Sequence, residues 1–224
     1  MAQTLALIHT SPTLTPLFSS LCAEHLPGTA IFHMVDESLI KDTIREGQLR
    51  RVTMRRLLAM IESAEDAGAD AVMVTCSSIG PGVALGQQLA DIPVIRVDEA
   101  MAEAAVRMGA RIGVMATLRT TLEPTIALLE GNAAEAGRTI TVVECLCDGA
   151  FDAVLAGDTA THDRIVGEAL RTLMSEVDLI VLAQASMARV VNALGDLAVP
   201  VLSSPELAVR QAAKVLAQQV ELHV

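Results

Sequence analysis

The chain has 224 residues, a net charge of -11, 52% apolar residues and 1% aromatic residues, with no Trp and no Tyr. Such a length suits one large domain or two small ones, and the core must be built from Ala, Val, Leu, Ile and Met. The acidic balance argues against a phosphate-backbone partner and the missing rings remove a stacking platform for bases, so no nucleic acid is expected.

The first residues, MAQTLALIHTSPT, hold a short apolar run without a basic leader and read as a first strand. No run of about 18 apolar residues occurs, so no membrane span is expected, and a reducing, cytoplasmic setting is the default. Candidate strands then follow at Thr4–Ile8, Thr29–His33, Ala71–Val74, Val94–Ile95, Arg111–Met115, Thr139–Val143, Leu179–Leu182 and Val199–Leu202. Helix-length segments lie between them at Arg50–Ala67, Glu99–Met108, Thr121–Ala136 and Asp163–Ser175, and the last runs from Pro205 to Val220. Strand then helix, repeated, implies parallel sheets covered by helices. The strands are continuously apolar, as strands covered on both faces are.

The pattern repeats. Asp70 and Asp178 are 108 positions apart, and so are Cys76 and Gln184. Pro93 and Pro200, Glu99 and Glu206, and Thr10 and Thr117 are each 107 apart. The expected fold is therefore α/β, with two pseudo-symmetric, open, parallel-sheet (Rossmann-like) halves and an interdomain cleft. Residues 1–97 plus 205–224 form the first half and 98–204 the second, the last helix packing back on the first. Open sheets of this kind bind ligands beyond the carboxyl ends of their strands. Cys76 and Gln184 follow equivalent strands, so both are expected to reach the cleft.

Cys76 stands in Val74-Thr75-Cys76-Ser77-Ser78. A thiolate is a base and a nucleophile, and hydroxyls and N–H groups from Thr75, Ser77, Ser78 and a following helix would favour it. The bland alternative is a buried structural cysteine. Gln184 sits in Leu182-Ala183-Gln184-Ala185-Ser186-Met187. An amide has no acid–base range near neutral pH, but it can donate a hydrogen bond to a carboxylate or enolate oxygen. It could equally only cap its loop. His9, after the first strand, titrates near neutrality and is a candidate proton donor, against a loop histidine that only hydrogen-bonds.

Thr10 and Ser11 suit carboxylate binding. Thr117, Thr120 and Thr121 occupy the corresponding loop of the second half, where hydroxyls bind an anion or cap a helix. Ala185 and Ser186 complete the candidate set. Arg119 reads as a solvated loop residue, Asp36 as a helix cap and Cys22 as core. Arg50, Arg51, Arg55 and Arg56 read as a solvated face or a subunit contact. Four cysteines lack zinc-type spacing, and Cys145-x-Cys147 is too close for a CxxC pair, so no metal is expected.

Taken together, the duplicated halves, Thr75-Cys76-Ser77-Ser78, Gly113-Val114-Met115-Ala116-Thr117 with Thr120 and Thr121, Val35-Asp36-Glu37-Ser38-Leu39, and Leu182-Ala183-Gln184-Ala185-Ser186-Met187 resemble the Asp/Glu/hydantoin racemase superfamily. Hydantoin racemases carry Gly-Cys-Ala-Gly-Met at the last of these. The resemblance implies cofactor-independent proton transfer between two cysteines at a carbon beside a carboxylate. The superfamily also includes arylmalonate decarboxylase, which keeps only the second cysteine, and maleate isomerase, which uses the first as a nucleophile. Gln184 departs from the pattern and puts two-base racemisation in doubt. The expectation is a racemase or isomerase acting on a small carboxylic acid through Cys76, as a homo-oligomer. A single-cysteine decarboxylase or lyase, and a non-catalytic carboxylate-binding protein, stay open as alternatives.

Overall fold

A computed structural model describes residues 3–195 and 197–222. In chain order it begins with β1 (Thr4–His9), α1 (Thr15–His25), β2 (Ala30–Val35), α2 (Glu37–Glu46), α3 (Arg51–Asp66), β3 (Ala71–Val74), α4 (Val83–Leu89) and β4 (Val94–Arg96). There follow α5 (Glu99–Met108), β5 (Arg111–Ala116), α6 (Arg119–Glu135), β6 (Thr141–Leu146), α7 (Ala150–Leu155), α8 (Thr159–Leu173), β7 (Leu179–Leu182), α9 (Ala188–Leu194), β8 (Val201–Ser203) and α10 (Ser204–Leu222). The chain divides into two compact units, Met1–Val97 with Pro205–Val224, and Asp98–Ser204.

Each unit holds a four-stranded parallel sheet, ordered β2-β1-β3-β4 in the first and β6-β5-β7-β8 in the second. The α/β reading is correct, and the reason is visible in the packing. Leu5, Leu7, Ala71 and Met73 meet Phe18 and Cys22 of α1 and Ala208, Val209, Ala212 and Leu216 of α10. The alternate residues Ala6, Ile8, Val72 and Val74 meet Leu39, Leu57, Ile61 and Val83 on the other face. With both faces covered, β3 is apolar throughout and β1 is apolar from Leu5 to Ile8. Truncating one such fully buried leucine to alanine costs about 2–5 kcal/mol.

The two units repeat one another bond by bond. Leu5 pairs with Ala71 in the first sheet, and Ile112 with Leu179 in the second. The Asp70 and Asp178 amides donate to Thr4 O and Arg111 O, both at 2.8 Å. Their carboxylates in turn accept from the Thr4 amide at 2.6 Å and the Arg111 amide at 2.8 Å, closing the start of each central strand. The Val72 and Ile180 amides both donate to a proline carbonyl, Pro93 O and Pro200 O, at 2.9 Å.

Several element bounds differ from the sequence pattern. The second strand is Ala30–Val35 rather than Thr29–His33, the sixth Thr141–Leu146 rather than Thr139–Val143, and the eighth Val201–Ser203 rather than Val199–Leu202. Ladder hydrogen bonds, not the limits of the apolar runs, set where these strands begin. Helix α6 starts at Arg119, so Thr120 and Thr121 lie in its first turn and not in the preceding loop. Helices α1, α2, α7 and α9 are ones the apolar pattern does not delimit. Arg50, Arg51 and Arg55 are exposed, Arg50 pairing with Glu46, while the partly buried Arg56 pairs with Asp36 and Asp42.

Candidate active site

In the first unit, β1 and β3 run side by side beyond their ends. The Thr75 amide donates to Ile8 O at 3.0 Å, and its hydroxyl donates to the same oxygen at 3.0 Å. Thr10 and Cys76 therefore leave the sheet as neighbours. Cys76 is extended (φ -130, ψ 115) and opens a 3-10 turn, Ser77–Gly82, that leads into α4. The Ile79 amide donates back to Cys76 O at 3.3 Å, closing the turn, and the Thr10 and Ser78 hydroxyls and the Ser78 amide surround the thiol. Thr10, Thr75, Ser77 and Ser78 are buried, whereas Cys76 keeps partial solvent access. Burial pushes the Cys76 thiol above its ordinary range, and the polar groups of Thr10, Ser78 and Ile79 around it pull against that rise. Ser11 instead faces Thr13, with the two hydroxyls 2.8 Å apart.

His9 is the last residue of β1 and has no exposed surface. Its Nδ1 lies 2.8 Å from Thr75 Oγ1, and its Nε2 lies 2.8 Å from His33 Nδ1. His33 Nε2 continues the chain to Ser19 Oγ at 2.9 Å. If Thr75 gives its proton to Ile8 O, each link is assigned: His9 Nδ1–H donates to Thr75, His33 Nδ1–H to His9, and Ser19 to His33. Burial, with His33 alongside, holds the His9 pKa down to about 4, so the ring is neutral at pH 7. The structure thus ties His9 into a buried scaffold behind Thr75, with both nitrogens engaged and none bonded to Cys76. His33 and Ser19 were invisible to motif reading; the one available signal was a histidine inside the apolar run of β2.

The second unit repeats this layout with different chemistry. The Ala183 amide donates to Met115 O at 2.9 Å, the counterpart of Thr75 to Ile8. Gln184 is extended (φ -135, ψ 134) and opens the 3-10 turn Ala185–Met187, as Cys76 opens its own. Its Oε1 accepts from the Thr117 amide at 2.6 Å and the Thr117 hydroxyl at 2.9 Å. Thr10 and Thr117 occupy matching positions, so a threonine hydroxyl donates to the sulfur in one unit and to the amide oxygen in the other. These bonds orient the Gln184 amide and leave Nε2 as its donor end. They also commit both Thr117 donors. Thr120 Oγ1 is buried and without a partner among the described residues. Thr121 is buried, and Ser186 is exposed beside Ala185.

The fold is that of a two-unit parallel α/β protein, with Cys76 and Gln184 at equivalent strand ends. The family model described as Asp/Glu/Hydantoin racemase matches residues 7–212. The chain belongs to that family, which makes it a racemase- or isomerase-type enzyme. Solved structures share the fold at low identity. A glutamate racemase from Bacillus anthracis is 21% identical, with 97% of this chain and 82% of that one covered and a TM-score of 0.75. A putative Asp/Glu racemase from Yersinia pestis is 19% identical, with 95% and 98% covered and a TM-score of 0.75. An allantoin racemase from Klebsiella pneumoniae is 19% identical, with 97% and 89% covered and a TM-score of 0.68. Comparison with curated proteins finds no match. Among the described residues, no helix is long and apolar enough to cross a membrane.

Proposed function

We propose that the protein moves a proton at the carbon next to a small substrate's carboxylate, without a cofactor, with Cys76 as the acid–base group. The observation that carries this reading is a cysteine of partial solvent access at the head of the turn after β3, set among the hydroxyls of Thr10 and Ser78 and the Ser78 amide. Such donors stabilise the thiolate that takes the proton, and the same groups stay in place when the S–H gives it back. Gln184, at the equivalent strand end of the second unit, has no acid–base range near neutral pH and does not take a proton. His9 holds Thr75, and through it the strand end, and does not touch the substrate.

Gln184 also favours a second reading within the family's chemistry. With one acid–base group, loss of carbon dioxide would leave the electron pair on the α-carbon as an enolate, and Cys76 would protonate one face. A thiol held protonated by burial suits that role.

Aspartate, glutamate, allantoin and substituted malonates, incubated with the enzyme in deuterated water, separate the readings. Wash-in of deuterium at the α-carbon with all carbon retained supports the isomerase reading, and carbon dioxide release supports the decarboxylase. Cys76→Ser should abolish either. If turnover survives that substitution, or if ligands bind with no exchange and no carbon loss, the proton-transfer role of Cys76 is wrong.

A further inference from the structure

We propose that α3 packs against α3 of a second copy of this chain, antiparallel and about a two-fold axis, and so forms a homodimer. The inner face of α3 is already used, with Leu57, Ile61 and Ala64 buried against Ala6, Ile8, Val72 and Val74 of the first sheet. The outer face exposes Arg51, Arg55, Ala59, Glu62 and Asp66. These follow one another at spacings of four, four, three and four, so they form a single stripe along the helix. None of the four charges in it has an ion pair or a side-chain hydrogen bond among the described residues. Their neighbours differ. Every charged residue of α2 is ion-paired, and so are Arg50 and Arg56.

The signs run the wrong way for the helix that carries them. A helix dipole favours acids in the first turn and bases in the last. Helix α2 obeys with Glu37 and Arg45, and α5 with Glu99 and Arg107. Helix α3 instead begins at Arg51 and ends at Asp66, with no acid in its first turn, no base in its last and no side-chain cap from Arg50.

An antiparallel copy corrects this. Arg51 and Asp66 share one midpoint with Arg55 and Glu62, between Leu58 and Ala59. A two-fold axis at that point sets Arg51 opposite the partner's Asp66 and Arg55 opposite the partner's Glu62. Each contact then occurs twice, as an isologous interface requires. The small Ala59 beside the axis lets the two helices approach to about 8–10 Å. The same register carries the partner's exposed turn at residues 66–68 to the start of α3. A hollow of about 380 Å³ lies there, with Leu49, Arg50, Arg51 and Val52 in its wall. Val52 is 52% exposed and gains cover.

The contact is modest. A helix of 16 residues is about 24 Å long, which is small for a specific interface, so the dissociation constant is expected on the order of micromolar. The charges set register and partner choice more than affinity. Leu57 and Ile61 also pack with Ile79 and Val83, so the dimer braces the turn that follows Cys76.

The test is sedimentation velocity of the full chain over a concentration series. The wild type should show a reversible monomer–dimer equilibrium that weakens as salt rises from about 0.05 M to about 0.5 M. Arg55→Glu and Glu62→Arg each create two like-charged contacts across the axis, and each should weaken dimerisation by about tenfold or more. Both reversals suit the dipole of α3 itself, so thermal melting by circular dichroism should show no loss of fold. Mixing the two variants sets Glu opposite Arg at these contacts and should restore the dimer, as should a chain carrying both substitutions. A wild type that stays monomeric at every concentration, a dimer indifferent to both reversals, or a loss that neither mixing nor combination repairs, would each overturn the proposal. The readout is association without substrate, so it stands apart from any failure of the Cys76 reading.

Discussion

Mild acid should loosen the first unit before its carboxylates titrate. His9 is wholly buried, and its pKa is held down to about 4 from 6.5 by burial and by His33. His33 is lowered by burial as well. In the unfolded chain each ring takes a proton near 6.5, whereas the folded chain resists protonation until lower pH. The unfolded state thus binds more protons in the window between, and the stabilisation is full above 6.5 and lost as pH falls toward 4. At about 1.4 kcal/mol per pKa unit, His9 alone removes about 2 kcal/mol between pH 7 and pH 5, and His33 adds in the same direction. The lowered carboxylates Asp36, Glu46, Asp158 and Asp178 contribute above their unfolded values of 3.8 and 4.5, so their loss falls later. Urea unfolding should be followed by far-ultraviolet circular dichroism, since the chain has no Trp or Tyr to report by fluorescence. His9→Asn keeps a polar group but removes the titration. The wild type should lose about 2 kcal/mol more than this variant between pH 7 and pH 5. An equal loss in both proteins would refute the reasoning.

Once a substrate is in hand, the pH–rate profile distinguishes the two uses of Cys76. As a base its activity rises with pH through a thiol pKa above the ordinary value, and as a proton donor its activity falls there. Thr10→Val removes one donor to the sulfur and should move that limb up by about one pH unit, with the fold intact by circular dichroism. Gln184→Cys supplies a second acid–base group, and deuterium exchange accompanied by inversion on a chiral substrate should then appear or increase, read by chiral chromatography. Gly113→Ala should cost about 1–3 kcal/mol in urea unfolding of the second unit. Its new Cβ would meet Leu173 Cδ2 at 2.7 Å and Ile180 Cγ1 at 3.3 Å.

Much of the architecture could be read along the chain because parallel strands buried on both faces leave no room for polar residues. Leu5–Ile8 and Leu179–Leu182 announce themselves in this way. The duplication was equally legible, since the residues that bracket each strand, Asp70 and Asp178, Pro93 and Pro200, make the same bonds at the same offset. Strand ends were less so. An apolar run stops where side chains meet solvent, while a strand stops where its ladder partner does, as at Ala30 against Gln3 and Thr141 against Ala110. The candidate cysteine stood out by its Thr and Ser neighbours, but its donors did not. The Ile79 backbone N–H closes the turn onto Cys76 O, which no side-chain pattern can advertise.

What the sequence determined by itself was the periodic and the local: two covered parallel sheets, a cysteine at one strand end and an amide at its counterpart. Tertiary structure alone decided which atoms pair across long separations. It set Thr75 on His9, Thr117 on the Gln184 oxygen and His33 behind His9. The physical reason is that a hydrogen bond needs its partners within a few tenths of an ångström of the right distance. That precision comes from strand register and turn geometry, which composition and spacing leave free.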